Sequence, residues 1–114
     1  MLSATNRLRK AYEITRVYRR GSQGGGGILS AKVLGNGLSV SRAVVVVAKK
    51  VSKRAVVRNR IRRRLTGILR EQWQTVRPGY DIVVTVHQDV AEAEASELQA
   101  AIETALKRSG ARQR

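Results

Sequence analysis

The sequence predicts an α/β sandwich, a sheet of about four strands packed with three helices in the order αβββαβα. Three observations predict it. Residues 43–48 and 80–87 are short β-branched runs, the mark of strands. Between them, Val57, Ile61, Leu65, Ile68 and Leu69 recur at the three- and four-residue spacing of one helical face. A second such stripe, Leu98, Ile102, Ala105 and Leu106, lies near the end of the chain. Helices that alternate with strands bury their stripes against the sheet between them. The 114 residues, 42% of them hydrophobic, suit one domain (1–114) with a modest core. With one Trp, three Tyr and no Phe, that core must be built mainly from Val, Ile, Leu and Ala.

Taken in order, residues 6–20 predict a first amphipathic helix. Ala11, Ile14, Val17 and Tyr18 share its apolar face, and Lys10, Arg16, Arg19 and Arg20 lie off it. Gly21 stands where a C-terminal cap belongs. The run Gly21–Gly27 reads as a flexible loop. It lacks the G-x-x-x-x-G-K pattern of a phosphate cradle. Residues 28–34 predict a short strand, and Gly35-Asn36-Gly37 is a strong turn signal. The run 43–48 (AVVVVA) predicts a buried strand. Three strands are thus placed by residue, and two or three are expected ahead of the second helix. That helix is expected over 53–73 and is closed by Pro78-Gly79. The strand 80–87 follows, then a helix over 91–107, and residues 109–114 read as a flexible basic tail.

Charge is the extreme quantity, with 23 Lys+Arg against 8 Asp+Glu and a net charge of +15. A folded domain so charged repels itself, and a polyanion relieves that repulsion. Nucleic acid is the first candidate. A membrane surface would need Trp, Phe or Leu exposed opposite the basic face, and here that stripe is needed for the core. No stretch approaches the roughly 20 apolar residues of a bilayer span. With no Cys, there is no disulfide, thiolate metal site or Cys nucleophile. The default expectation is a soluble, cytoplasmic protein. The charges are also unevenly placed. From Arg42 to Arg64 no acid interrupts the basic residues, whereas Asp89, Glu92, Glu94, Glu97 and Glu103 gather just before and along the last helix. A molecule with one positive side is expected, its acidic side turned away from RNA.

The second helix carries the most information. Arg58, Asn59, Arg60, Arg62, Arg63 and Arg64 cover nearly all that its apolar stripe leaves free. A solvated helix usually interleaves Glu with Lys at i,i+4, but here no acid appears until Glu71. Crowded like charges cost stability unless phosphates neutralise them, and Arg suits bidentate phosphate contact better than Lys.

The segment Lys49-Lys50-Val51-Ser52-Lys53-Arg54-Ala55-Val56-Val57-Arg58-Asn59-Arg60-Ile61-Arg62-Arg63-Arg64 resembles the hallmark of the bacterial ribonuclease P protein family. There a Lys-rich strand end and a short loop lead into an Arg-Asn-Arg that opens a basic helix. Arg7-Leu8-Arg9-Lys10 with the residues on to Gly21 resembles the family's first helix, and Asp81-Ile82-Val83-Val84 the strand after the basic helix. The resemblance spans about residues 7–107 in the expected order. It implies a left-handed crossover around the basic helix, against the right-handed norm. It further implies that the protein assists a catalytic RNA that removes the 5′ leader of precursor tRNA, and that this RNA holds the Mg2+ ions. The implied RNA-binding residues are Lys49, Lys50, Lys53, Arg54, Arg58, Asn59, Arg60, Arg62, Arg63 and Arg64, with Arg7, Arg9 and Lys10. A cleft lined by Ile14, Tyr18 and Val46 would take the leader. Three positions depart from the family pattern. Ile14 replaces a usual aromatic, Val44 a common Gly, and His87 a usual Lys or Arg.

Catalysis by the protein itself finds no support in the residues. A nuclease needs a general base, a carboxylate cluster for metal, or a nucleophile. His87 is the single histidine. Asp81 shares its strand parity but lies about 20 Å away in extended geometry. Asp81 is expected to make a local hydrogen bond at the strand start, His87 to be a polar strand end, and Trp73 to pack at a helix end. No catalytic residue, no metal and no small-molecule substrate are therefore assigned to the chain. A ribosomal-type architectural RNA-binding protein is the alternative. It explains the charge but not the ordered match to two separate elements.

Overall fold

The computed structural model describes residues 2–112. After a short 3-10 turn at Ala4–Asn6 come α1 (Ala11–Arg20), β1 (Ser22–Gly26), β2 (Leu29–Gly35), β3 (Arg42–Val47), α2 (Ala55–Glu71), β4 (Tyr80–Val86) and α3 (Ala95–Ser109). A second 3-10 turn, Trp73–Thr75, follows α2. The strands form one mixed sheet in the order β1-β2-β4-β3, with β3 and β4 parallel and the other pairs antiparallel. The predicted α/β sandwich with three helices and four strands is the fold.

The sheet has a helix pair on one face and a single helix on the other. Leu29, Ala31 and Val33 of β2, Ala43, Val45 and Val47 of β3, and Ile82, Val84 and Val86 of β4 meet the stripes of α2 and α3. Ile61, Leu65 and Leu69 of α2 and Leu98, Ile102 and Leu106 of α3 are fully buried there. Each such side chain contributes roughly 1.5–3 kcal/mol of transfer free energy. On the opposite face α1 rests on a smaller cluster. Leu8, Val17 and Val83 are buried, and Ile14, Tyr18, Leu34, Val44 and Val46 are half-covered around them.

Several expectations are refined or corrected. The first helix begins at Ala11 rather than residue 6, because Arg7 bridges Ala43 and the Leu8 N–H donates to the Ala43 carbonyl at 3.0 Å. The segment before α1 is thus extended along the β3 edge. Second, Gly21–Gly27 is no loop, since Ser22–Gly26 pairs with β2 as an edge strand. Glycine is needed there because α3 lies directly on the strand. A Cβ on Gly24 would stand 2.1 Å from the Ser109 backbone nitrogen. Gly21 caps α1 through an N–H bond to Val17, but at φ −73° rather than in the left-handed region.

Third, the Gly35-Asn36-Gly37 turn is real, with Gly37 at φ 72°, yet the strands it links are not neighbours. β4 lies between them, buried on both faces along Asp81–Val84. Fourth, the valine run of β3 is an edge strand. Ala43, Val45 and Val47 are buried, whereas Val44 and Val46 alternate with them toward the α1 side and stay half-exposed. Fifth, residues 109–112 are docked rather than flexible. Ala111 is fully buried, its carbonyl accepts the Arg77 N–H at 2.8 Å, and Arg112 bridges Val76. Residues 113 and 114 of the predicted tail lie outside the described residues. The last helix starts at Ala95 rather than 91 and ends at Gly110, whose φ of 90° is the left-handed cap.

Candidate nucleic-acid interface

The predicted basic residues fall into three groups. Lys49, Lys50, Lys53 and Arg54 are exposed on the turn between β3 and α2, around the helix N-terminus. That end has no side-chain cap and no acid in its first turn. Its free N–H groups and the positive end of the helix dipole add to the four cations. Such a terminus favours an anion.

Along α2 the guanidiniums divide into held and free. Arg58 donates to the Ser52 carbonyl at 2.9 Å, and Arg62 to the Asn59 side-chain oxygen at 2.6 Å. Arg60 meets Glu92 at 2.7 Å, with both side chains largely exposed. Arg63 is exposed, with no hydrogen-bond partner among the described residues. Arg64 is different. It donates to the carbonyls of Val90, Ala91 and Ala93 at 3.2, 2.8 and 2.6 Å. This clamps the loop between β4 and α3, so the fork is used inside the protein. Arg64, predicted to face RNA, is thereby occupied as a structural side chain.

The acidic stretch also comes closer to the basic helix than expected, since Glu92 sits on Arg60. An exposed pair contributes only about 0–1 kcal/mol, but it competes with a phosphate for the same guanidinium. Replacing Glu92 by Gln is expected to raise affinity for a polyanionic RNA by about two- to fivefold at low salt. Filter binding of the variant beside the parent checks this, and unchanged affinity means that Arg60 meets no phosphate.

The third group joins α2 from the N-terminal segment. Arg7 is held by its Nε donating to the Leu2 carbonyl at 2.8 Å, whereas Arg9 and Lys10 are exposed. Arg7, Arg9 and Arg62 border an apolar cavity of about 210 Å³ walled by Leu2, Leu8, Ala43, Val45 and Leu69. Residues more than fifty positions apart in sequence thus share one basic surface.

On the other face α1 lies over β2 and β4, and Ile14 and Tyr18 of α1, like Val44 and Val46 of β3, are half-covered around the buried Leu8, Val17 and Val83. Ile14, Tyr18 and Val46 thus border one small apolar cluster. The Tyr18 hydroxyl is hydrogen-bonded to Thr85 Oγ1 at 2.9 Å, which fixes a half-buried ring. Sequence reasoning missed two partners of this tyrosine, Thr85 and Lys32. The Lys32 ammonium donates to the Tyr18 carbonyl at 2.7 Å and lies 5.9 Å from the ring centroid. A lone lysine on the solvent-side parity of an otherwise apolar strand was the available signal. His87 lies on the same parity of β4 as Val83 and Thr85, exposed and bonded to Ser30 Oγ at 2.8 Å. It is the polar strand end that was expected.

Asp81 differs from expectation. It is 1% exposed and pairs with Arg42 through two hydrogen bonds of 2.9 and 2.8 Å. The same guanidinium donates to Glu13 at 2.9 Å. Arg42, which opens the acid-free basic run, is therefore neutralised by two carboxylates. Its pKa is held well above the ordinary value, chiefly by the Asp81 hydrogen bond and opposed by burial. Among the described residues no group of three or more His, Cys, Asp or Glu is placed to hold a metal ion. No described helix is long and apolar enough to cross a membrane.

Fold and site together define a small basic α/β-sandwich protein, with a strongly cationic helix on one face of the sheet and a single helix over a half-covered apolar cluster on the other. A family model described as Ribonuclease P matches residues 2–110. The chain is 42% identical over 87 residues to the ribonuclease P protein component of Pseudanabaena sp., covering 75% of each chain. It is 36% identical over 109 residues to that of Caldanaerobacter subterraneus, covering 96% of this chain and 93% of the other. The RNase P protein from Thermotoga maritima shares the fold, with TM-score 0.79 at 23% identity over 89% of this chain and 94% of that one. The Staphylococcus aureus RNase P protein does so with TM-score 0.78 at 23% identity, over 90% and 93%. The chain belongs to the ribonuclease P protein family, as a protein component of a tRNA-processing ribonucleoprotein.

Proposed function

We propose that this chain binds the catalytic RNA of ribonuclease P through the surface formed by the α2 N-terminus, the outer face of α2 and Arg9-Lys10. The 5′ leader of precursor tRNA lies in the cleft between α1 and the sheet. The bond is cut in the RNA subunit, which holds the Mg2+, while the protein supplies positive charge and leader contacts. One observation carries the reading. The exposed cations of residues 49–54 surround a helix end that has neither cap nor acid, an arrangement that stability disfavours and phosphate satisfies.

Reconstitution tests it. A bacterial ribonuclease P RNA at low magnesium should cleave precursor tRNA much faster with this protein than without it. No stimulation, with RNA binding intact, would favour an architectural RNA-binding role instead. The cleft has its own test. Tyr18→Ala removes a surface on which a leader base stacks, worth about 1–3 kcal/mol. Leader-bearing precursor should bind correspondingly weaker, mature tRNA as before. Equal weakening of both, with an early melt, would assign Tyr18 to the core alone.

A further inference from the structure

The cationic run that begins at Arg42 starts with a guanidinium already engaged by two carboxylates, and these partners link α1 to β4. Arg42 lies on the α1 side of β3, with the parity of Val44 and Val46. Its guanidinium joins Glu13 of α1 to Asp81 of β4 at 2.9 and 2.8 Å. Asp81 is in turn held by Asn36 Nδ2 at 2.9 Å. The Asn36 backbone N–H donates to Gly79, and its side-chain oxygen accepts the Leu38 N–H. One half-buried network thus reaches from the β2–β3 turn along the α1 face of the sheet to α1.

α1 needs such a tie. Its apolar footing is small, with Val17 its single fully buried side chain and Ile14 and Tyr18 half-covered. Packing of that kind leaves a helix free to tilt. At its C-terminal end α1 is held by the Tyr18–Thr85 and Lys32–Tyr18 bonds. At its N-terminal end the Glu13 side chain, 11% exposed, is held by Arg42. Glu13 directly precedes Ile14, which lines the cleft. The bidentate fork on Asp81 leaves Arg42 little freedom to follow a moving helix.

We infer that Arg42 and Glu13 are positioning residues. Through Asp81 they fix the N-terminal half of α1 relative to the sheet, and so set the width of the cleft that receives single-stranded RNA. The inference rests on the leader reading proposed above and goes beyond it, since neither residue touches the RNA.

Glu13→Ala gives a clean test because its sign opposes simple electrostatics. Removing an acid adds one positive charge to the protein, which by itself strengthens binding to any polyanion. A loss of leader binding therefore reports geometry. Arg42 keeps Asp81 in this variant, so no buried charge is stranded. In reconstituted holoenzyme, KM for precursor tRNA with a leader of several nucleotides should rise about tenfold, as misplaced binding groups do, with kcat little changed. Affinity for the catalytic RNA should not fall. Arg42→Lys, which keeps the charge but loses the fork, should show the same KM defect. Glu13→Gln, which keeps a hydrogen bond, should lie between, and it preserves the test if Glu13→Ala folds poorly. Tyr18→Ala runs beside them. Leader selectivity lost with Tyr18→Ala but retained by both Glu13→Ala and Arg42→Lys overturns the positioning role alone. Losses equal across all substrates and RNA docking overturn it too. If the Tyr18→Ala defect is the same for substrates with and without a leader, the cleft reading falls, and the positioning role with it.

Discussion

Gly24→Ala is expected to destabilise the protein by about 3 kcal/mol or more, at the upper end of what overpacking costs. The added methyl would lie 2.1 Å from the Ser109 nitrogen, 2.4 Å from the Arg108 carbonyl carbon and 2.7 Å from the Ser109 Cα. All three are backbone atoms of the last turn of α3, so no side chain can rotate away to make room. Either α3 lifts from β1 or the edge strand leaves β2. In the first case the contacts of Ala105 and Leu106 with the sheet loosen; in the second the β1–β2 ladder is lost. At about 4–8 °C per kcal/mol for a chain of this size, the melting temperature should drop by about 12–24 °C. Gly26→Ala is the control, with nothing within 4 Å of the added methyl. Thermal melts of the two variants compare them directly. A Gly24→Ala protein that melts like its parent would mean that α3 does not rest on this strand.

Affinity for ribonuclease P RNA should fall by about 10³–10⁵ between about 50 and about 200 mM salt, the loss expected when roughly six to ten phosphates are neutralised. The exposed cations at the α2 N-terminus, Arg63, and Arg9-Lys10 supply most of that number. Arg58, Arg60 and Arg62 can add to it by exchanging weak protein contacts for phosphate. The structure sharpens the test by separating neighbours. Arg63→Ala removes a free guanidinium, so the slope of log K against log salt should shrink by about 1, with little change in stability. Arg64→Ala removes the clamp on Val90, Ala91 and Ala93. It should leave the slope unchanged and cost about 1–3 kcal/mol of stability instead. Titrations at four or five salt concentrations, with melts of both variants, give both quantities. A flat dependence would mean that the basic helix is not the binding surface, and a reduced slope for Arg64→Ala would mean that its clamp opens on RNA.

The amino-acid sequence by itself determined the α/β class, the stripes of α2 and α3, and the concentration of positive charge on one helix. These are periodic or additive properties. A residue's place in a 3.6- or 2-residue period, and the sign of its side chain, do not depend on which distant element it meets. The Lys49–Arg64 motif is local in the same sense, since all of it lies on one turn and one helix.

What only the tertiary structure decided is how those cations are spent and where the glycines go. Arg42, Arg60, Arg63 and Arg64 carry the same charge and are indistinguishable by composition. The fold places Arg42 between two carboxylates from other elements, Arg60 against Glu92, Arg64 under three carbonyls, and Arg63 in solvent. The valine run of β3 looked more buried than β4, yet β4 holds the centre of the sheet and β3 its edge. Strand order is set by long-range pairing, which no local period encodes. The Gly-rich segment makes the same point. Glycine has no side chain to declare a face, so its composition reads as a loop. It becomes a strand because its missing Cβ lets the backbone of α3 come within contact of the sheet.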